Sequence, residues 1–369
     1  MRILSIVTLI SPNGEYGGPV RVAVNQARTL MERGHDVTIA GGHRGFESAA
    51  PVLYDGVPAV LFPARTIMPG AGFAGLTAPG LRRWLSSNLQ NFEVVHIHAA
   101  RDLVTLPAAY QVKRARVPFV LQTHGMIDPS SHPLARPLDA LLTRRILKSA
   151  RRVFYLTPEE RRGLEAVGGN SLSLQELSNG VPVPDIEPHR EPGSVEVLFL
   201  ARLAPRKRPG FFVSTASTLA PDYPDVRFTL VGPDEGEGAA TRAAIDEAKT
   251  PRLSWDGPLA PEATSQRMAR SSIYVLPSVD EPFPMSVLEA MSLGLPVVIT
   301  ESCGLAEIVR RAECGLVINE TQSGLDDAVR FLLDNPDIAE AMGQRGAKAT
   351  RKDLSMGHVA DILELAYTS

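Results

Sequence analysis

The sequence predicts an α/β protein made of two doubly wound, Rossmann-like domains, and three observations carry that expectation. Both halves repeat the order apolar strand, short loop, amphipathic helix, apolar strand. A polar, proline-crowded stretch, VPVPDIEPHREPGS, separates them and cannot sustain a helix. The length of 369 residues is enough for about two domains, each able to bury its own core.

The first half opens with a strand, RILSIVTLI, a loop, SPNGEYGG, and a helix from Pro19 in which Val20, Ala23, Val24, Ala27, Leu30 and Met31 recur at helical spacing. Pro19 suits a first helical turn. HDVTIA closes this βαβ unit. Further strands are expected within Phe92 to Ala99, Val117 to His124 and Arg152 to Pro158, with helices over Leu81 to Leu89 and Asp102 to Arg114. That alternation fits a parallel sheet covered on both faces. Beyond the prolines, VEVLFLARL, VRFTLVG, RLSWDG, SIYVLPS, LPVVIT and GLVIN read as the strands of a second sheet. Leu354 to Tyr367 lies too far from the last strand to join it and is expected to be a helix packing back on the first domain. The boundaries read as residues 1–185, a linker at 186–194, a second domain at 195–353 and the terminal helix at 354–369. Two such domains are expected to face a cleft with their strand ends.

Composition narrows the function classes. A 44% apolar and 21% charged chain is ordinary for a soluble globular protein, and no apolar run approaches the roughly 18 residues of a membrane span. MRILSIVTLI ends in Ser11, Pro12 and Asn13 without a small-residue cleavage pattern, so it reads as a first buried strand rather than a signal peptide. Cys303 and Cys314 alone imply neither a disulfide framework nor a four-ligand metal site, and a cytoplasmic location is expected. Residues 1–190 hold 21 Lys and Arg against 15 Asp and Glu, leaving 17 against 26 for the remainder. This asymmetry fits two lobes that attract each other, or a basic lobe that attracts an anionic acceptor or membrane surface. No GxGxxG fingerprint follows either opening strand, which disfavours a nicotinamide cofactor, and GPDEGEG lacks the lysine and hydroxyl of a nucleotide P-loop. It reads as a turn.

The most informative stretch is EPFPMSVLE, residues 281–289, between the strands SIYVLPS and LPVVIT. An apolar strand, a loop bearing Glu281 and a helix bearing Glu289 present two carboxylates above strand ends, where an α/β sheet binds ligands. On that helix Met285, Ser286 and Glu289 share one side, while Val287, Leu288 and Met291 can face the sheet. Backbone N–H groups at the helix start suit an anion, and Glu289 suits neutral hydroxyls. An anion beside hydroxyls describes a sugar nucleotide. Arg202 and Lys207 follow the second domain's opening strand, five residues apart across a turn containing Pro205. Arg206 and Arg208 read as solvated surface charge. Gly17 and Gly18, between the first strand and helix, allow close backbone approach to a phosphate. His96 and His98 share one strand face, as a buried hydrogen-bonded pair or cleft wall in preference to a metal pair. Asp326 and Asp327 form no convincing metal motif.

On these residues the chain resembles the retaining glycosyltransferases of GT-B architecture, in the large family 4 group, over nearly its whole length. ARLAPRKRP is similar to the family's GRLxxxKG segment, and EPFPMSVLE to its E-x7-E motif followed by EAMSLGLPVV. GEYGGPVRVAVNQARTLMERGHDVTI resembles the opening GG…LxxRGHxV pattern, and THGMIDP and LSNGVP resemble two later landmarks. The resemblance implies that Arg202 and Lys207 hold the donor diphosphate, Glu289 the ribose hydroxyls and Glu281 the transferred sugar. It places His124 near that sugar and the Gly17–Gly18 loop over donor and acceptor. Where the family has glycine this chain has Pro282 and Pro284, so backbone donor contacts fall to Phe283, Met285 and Ser286. The implied reaction moves a sugar, with UDP the favoured nucleotide, to an unknown acceptor hydroxyl with retention. Glu281 and His124 position and stabilise, and no metal or other cofactor is expected. Glycan and natural-product biosynthesis both fit. The alternatives are a sugar-nucleotide epimerase of the same fold and a catalytically inactive partner. The basic run Leu134 to Arg152, with interleaved leucines, is expected to form an amphipathic helix. Contact with a membrane surface through it is not the favoured reading, and nucleic acid is not an expected partner.

Overall fold

The structure is a computed structural model that describes residues 1–12, 17–47, 49–68, 70, 72–130, 132, 135–182, 186, 193–260 and 263–369. Most of the proline-rich stretch, including Pro184, Pro188 and Pro192, lies outside the described residues, as do residues 13–16 and Leu134. The chain forms two compact units, one of residues 1–180 with 356–369 and one of residues 181–355.

The first unit is built on β1 (Arg2–Ile10), β2 (Asp36–His43), β3 (Leu53–Tyr54), β4 (Val57–Pro63), β7 (Val94–His98), β8 (Phe119–Gln122), β9 (Val153–Tyr155) and β10 (Leu174–Glu176). β5 (Arg65–Thr66) and β6 (Leu76–Thr77) form a separate small hairpin. The eight strands lie in the order β10-β9-β8-β7-β1-β2-β4-β3, parallel throughout except for β3 against β4. The central strands are apolar at successive positions because both faces are covered. Leu4, Ile6, Val95, Ile97 and Leu121 fill one face, and Ile3, Val7, Val94, Val120 and Phe154 the other.

Helices α1 (Gly17–Glu32), α2 (Pro79–Asn88), α3 (Thr105–Ala115) and α6 (Pro158–Gly168) connect the strands. The reading of a helix from Asp102 is corrected to a start at Thr105. Asp102 instead caps it, its Oδ1 accepting from Val104 N at 2.8 Å and Thr105 N at 2.5 Å. Gly17 and Gly18, expected in a loop, form the first turn of α1, where Pro19 needs no hydrogen-bond acceptor for its nitrogen. The expected amphipathic helix is found over residues 135–147 as one continuous run, α4 (Ala135–Leu138), a π-helical turn (Asp139–Thr143) and α5 (Arg144–Leu147). Ile146 and Leu147 are buried, and Arg144, Arg151 and Arg152 donate to Val167 O, Tyr367 O and Ser173 Oγ. These cations serve the unit's own acceptors.

The second unit carries β11 (Glu196–Leu200), β12 (Arg227–Val231), β13 (Leu253–Trp255), β14 (Ile273–Leu276), β15 (Val297–Thr300) and β16 (Gly315–Ile318). Their order, β13-β12-β11-β14-β15-β16, is parallel throughout and reverses direction between β11 and β14. The covering helices are α7 (Pro209–Leu219), α8 (Gly238–Ala248), α9 (Thr264–Met268), α10 (Met285–Ser292), α11 (Ala306–Ala312), α12 (Gln322–Asp334) and α13 (Pro336–Asp353). At the start of β11, burial raises the Glu196 pKa, but the bidentate Arg267 bonds of 2.7 and 2.8 Å, with Thr229 and Ser271, outweigh it and lower the value. α14 (Met356–Thr368) belongs to the first unit, where Val359, Leu363 and Tyr367 pack with Ala23, Ala27 and Leu30 of α1. Arg33 of that unit bonds Asp361 at 2.7 Å and Glu364 at 3.0 Å.

α13 crosses beneath the α10–β15 turn at a point that admits no side chain: a Cβ on Gly343 would lie 2.0 Å from Gly294 O. Gly343→Ala is therefore expected to destabilise by about 1–3 kcal/mol, lowering the apparent Tm by several degrees. Gly210→Ala, in α7 with nothing within 4 Å of its Cβ, is expected to leave the Tm unchanged or raise it slightly in the same thermal scan.

Candidate functional site

The reversal between β11 and β14 puts the loops after these two strands side by side, which is where an open α/β sheet binds ligands. After β11 come Arg202, a 3-10 turn at Pro205–Lys207 and Arg208 in the left-handed region at φ 53°. After β14 comes the loop bearing Glu281, and then α10. The two loops are tied by backbone: Val279 N donates to Arg206 O at 3.0 Å, and Arg206 Nη1 to Asp280 O at 3.0 Å.

Side chains complete the tie. Lys207 Nζ lies 2.5 Å from Glu281 Oε2, with both side chains only 10% exposed, and Arg206 Nη1 reaches the same oxygen at 3.1 Å. Gly304 N donates to Glu281 O at 2.8 Å, so the carboxylate cannot drift with its backbone. Burial lowers the Lys207 pKa, and Glu281 opposes that shift. An ammonium has three donors, so Glu281 leaves two for another acceptor. Arg202 is different. Its side chain is 57% exposed and pairs with Glu235 at 2.7 Å.

Glu235 sits in the GPDEGEG turn, which is more than a turn. Leu203 N donates to Pro233 O, while Glu235 N and Glu237 N donate back to Leu203 O. Gly232 makes this approach possible: at φ +148° its Cβ would meet Ala201 O at 1.9 Å. Asp234 Oδ1 then accepts from Gly236 N and Gly238 N, both at 2.8 Å, and opens α8. On α10, Glu289 is buried, and Ser286 Oγ lies 2.8 Å from the Tyr274 hydroxyl, which also bonds Leu200 O. Pro284 stands at the N-cap and supplies no capping oxygen to the first turn of α10.

In the first unit, the carboxyl ends of β7 and β8 carry three histidines. His96 and His98 stack at 4.5 Å between ring centroids, and His98 and His124 at 5.1 Å. His98 Nδ1 lies 2.9 Å from His124 Nε2, and His96 Nδ1 lies 2.9 Å from the Tyr367 hydroxyl on α14. Burial pushes His96 and His124 down to about 3, and drives His98 well below the ordinary value, with its neighbouring histidines adding to the shift. All three are neutral at pH 7. His124 sits at φ 51° on a backbone fixed by Glu160, which accepts from Thr123 Oγ1, Gly125 N and Leu156 N.

Residues 185–349 match the model of the glycosyl transferases group 1, and residues 17–180 that of the glycosyl transferase 4-like domain. The chain belongs to the group 1, family 4-type glycosyltransferases. It is similar to a D-inositol 3-phosphate glycosyltransferase of Nocardia farcinica, at 26% identity over 100% of this chain and 88% of the relative. A 2-deoxystreptamine N-acetyl-D-glucosaminyltransferase of Niallia circulans is 24% identical over 71% of this chain and 73% of its own. Among solved structures, a sucrose-phosphate synthase of Thermosynechococcus elongatus superposes with a TM-score of 0.77 at 18% identity, covering 100% of this chain and 98% of that one. HepE of Anabaena, in complex with UDP, gives 0.76 at 16%, covering 100% of both chains. The fold is the GT-B pattern of two Rossmann-like units.

Within this glycosyltransferase, Arg202, Lys207, Glu281, Phe283, Met285, Ser286 and Glu289 gather in the second unit, at the β11 and β14 loops and on α10. His124 and Gly17–Gly18 belong to the first. The reading of Arg206 and Arg208 as solvated charge is corrected. Arg206 shares Glu281, and Arg208 donates to Glu320 O at 3.0 Å over the Phe211 ring. Among the described residues no group of three or more His, Cys, Asp and Glu is placed to hold a metal ion, and no helix is long and apolar enough to cross a membrane.

The histidines make stability depend on pH. Their folded-state pKa values lie below the unfolded value of 6.5, so between pH 6.5 and about 3 the unfolded chain takes up protons that the folded chain refuses. Stability is therefore lost as pH falls, by up to about 1.4 kcal/mol per pH unit for each group. Burial raises Asp102 to about 6, which acts in the opposite sense and offsets one of the three. Urea unfolding at pH 7.5 and 5.0 is expected to show a lower midpoint at pH 5.0, and His96→Phe a smaller difference between the two. Equal wild-type midpoints would contradict this.

Proposed function

We propose that this glycosyltransferase moves a sugar from a nucleoside diphosphate sugar, with UDP favoured, to an acceptor hydroxyl, and that the anomeric configuration is retained. The observation that carries this reading is the pair of buried carboxylates, Glu281 and Glu289, at the strand-order reversal with Lys207 and Arg206 on the first of them. HepE, which shares the fold, was solved with UDP and with UDP-glucose, in keeping with a sugar nucleotide as donor.

The roles follow from exposure and charge. The Arg202–Glu235 pair is exposed and so worth only about 0–1 kcal/mol, which lets Arg202 exchange Glu235 for a diphosphate at little cost. Lys207 keeps Glu281 and offers its two remaining donors to the same diphosphate. Backbone N–H groups of Phe283, Met285 and Ser286 add to that anion site. Gly17 and Gly18, in the first turn of α1, offer theirs to the donor from the first unit. Glu289 accepts from the two ribose hydroxyls. Glu281, held by Lys207 and Arg206, orients the transferred sugar, and neutral His124 donates to it. In the reaction the bond from the anomeric carbon to the diphosphate oxygen breaks, and the acceptor oxygen bonds to that carbon on the same face. The departing phosphate oxygen takes the acceptor's proton. Arg202 and Lys207 stabilise the charge left on the phosphate, the part that a metal plays elsewhere.

A thermal-shift comparison of UDP, GDP, ADP and dTDP is the direct test. UDP is expected to raise the Tm most, and Glu289→Ala to weaken its binding about 10- to 100-fold, as loss of a charged hydrogen-bond acceptor would. If no nucleotide shifts the Tm, or if NMR of the product shows an inverted anomeric centre, the reading fails.

A further inference from the structure

We propose that His98 is a positioning residue that fixes the proton of His124 on Nδ1. The inference deepens the reading above, in which His124 donates to the transferred sugar. One proton lies between His98 Nδ1 and His124 Nε2, 2.9 Å apart, because both rings are neutral. Two arrangements are open. If His124 Nε2–H donates, the proton of His98 must sit on its own Nε2, which is buried and meets no hydrogen-bond partner among the described residues. If His98 Nδ1–H donates, that Nε2 carries only an unused lone pair. An orphaned buried N–H is the rarer and costlier of the two defects, so His98 is the donor.

The consequence falls on the other end of His124. With Nε2 accepting, its proton is on Nδ1, the ring nitrogen without a partner among the described residues. An imidazole in water favours the opposite tautomer, so the protein imposes this one. The rest of the geometry keeps His124 from escaping. Glu160 clamps Thr123 and Gly125 on either side of it, and its left-handed backbone, at φ 51°, leaves little latitude to reorient the ring. His98 in turn is pinned on β7 against His96, which Tyr367 holds. His98 touches no substrate in this scheme. It acts through His124.

The test is a long-range proton–nitrogen NMR spectrum of the full-length, nitrogen-15-labelled protein at pH 7.5, with the His124 ring assigned by its absence in His124→Ala. The expected wild-type spectrum shows His124 protonated on Nδ1. His98→Asn, whose side-chain amide can donate from about the same place, is expected to keep that tautomer. His98→Leu is expected to shift it toward Nε2–H and to lower kcat roughly 3- to 10-fold with little change in donor KM, as loss of one neutral hydrogen bond would. A wild-type His124 protonated on Nε2 would overturn the proposal whether or not the variants fold. An Nδ1–H tautomer in a protein that turns over no nucleotide sugar would leave the assignment of His98 standing and remove the functional reading instead.

Discussion

The contact between Lys207 and Glu281 is the constraint on which the second unit's ligand-facing edge depends. Each side chain would be costly to bury alone, and Glu281 answers Lys207 while Arg206 gives the same carboxylate a second cation. Lys207 is held by a 3-10 turn whose residues bond back to Ala204 and Pro205, and Glu281 by Gly304 and by the Arg206–Val279 bond. Two loops that are 74 residues apart in sequence are thereby fixed to one another. Arg206, partly exposed, adds charge without the desolvation that a second buried cation would bring. Attraction by Glu281 keeps the burial of Lys207 from lowering its pKa further.

The first unit places mostly neutral groups at its strand ends, with a buried carboxylate, Glu160, holding the backbone around His124. At the strand ends His124 bonds His98, His96 bonds Tyr367, and Gln122 bonds Gln26 and Asn179, while His98 and His96 are joined by ring stacking. Stacked neutral imidazoles tolerate burial that imidazolium ions do not. Other charged groups of this unit are Arg101 with Asp139, Arg33 with Asp361, and Asp102 at the start of α3.

Much of the fold was legible in the sequence because buried parallel strands are apolar at most successive positions and helices repeat every three to four residues. LPVVIT, VRFTLVG and the α1 pattern gave themselves away in this manner. Leu174–Glu176 and Val57–Pro63 did not, since the first is an edge strand of three residues and the second carries two prolines. At the site, Glu281 and Glu289 were visible from a local pattern. Their partners were not, because pairing across a sheet reversal leaves no local trace. Arg206 reads as surface charge when seen only beside Lys207 and Arg208. GPDEGEG reads as a turn until Leu203 is found bonded to it, and only the positive φ of Gly232 hints at that approach. The basic run before Arg152 reads as an amphipathic helix, but nothing in the sequence shows that Val167 and Tyr367 supply acceptors for its arginines.

The measurement that bears most directly on this account is a double-mutant cycle in UDP affinity, by calorimetry on the wild type, Lys207→Met, Glu281→Gln and the double variant. If Lys207 and Glu281 act as one buried unit at the donor site, the two substitutions couple, and the cycle departs from additivity by about 1 kcal/mol or more. Losses that add to within about 0.5 kcal/mol, or a wild type that does not bind UDP, would contradict it.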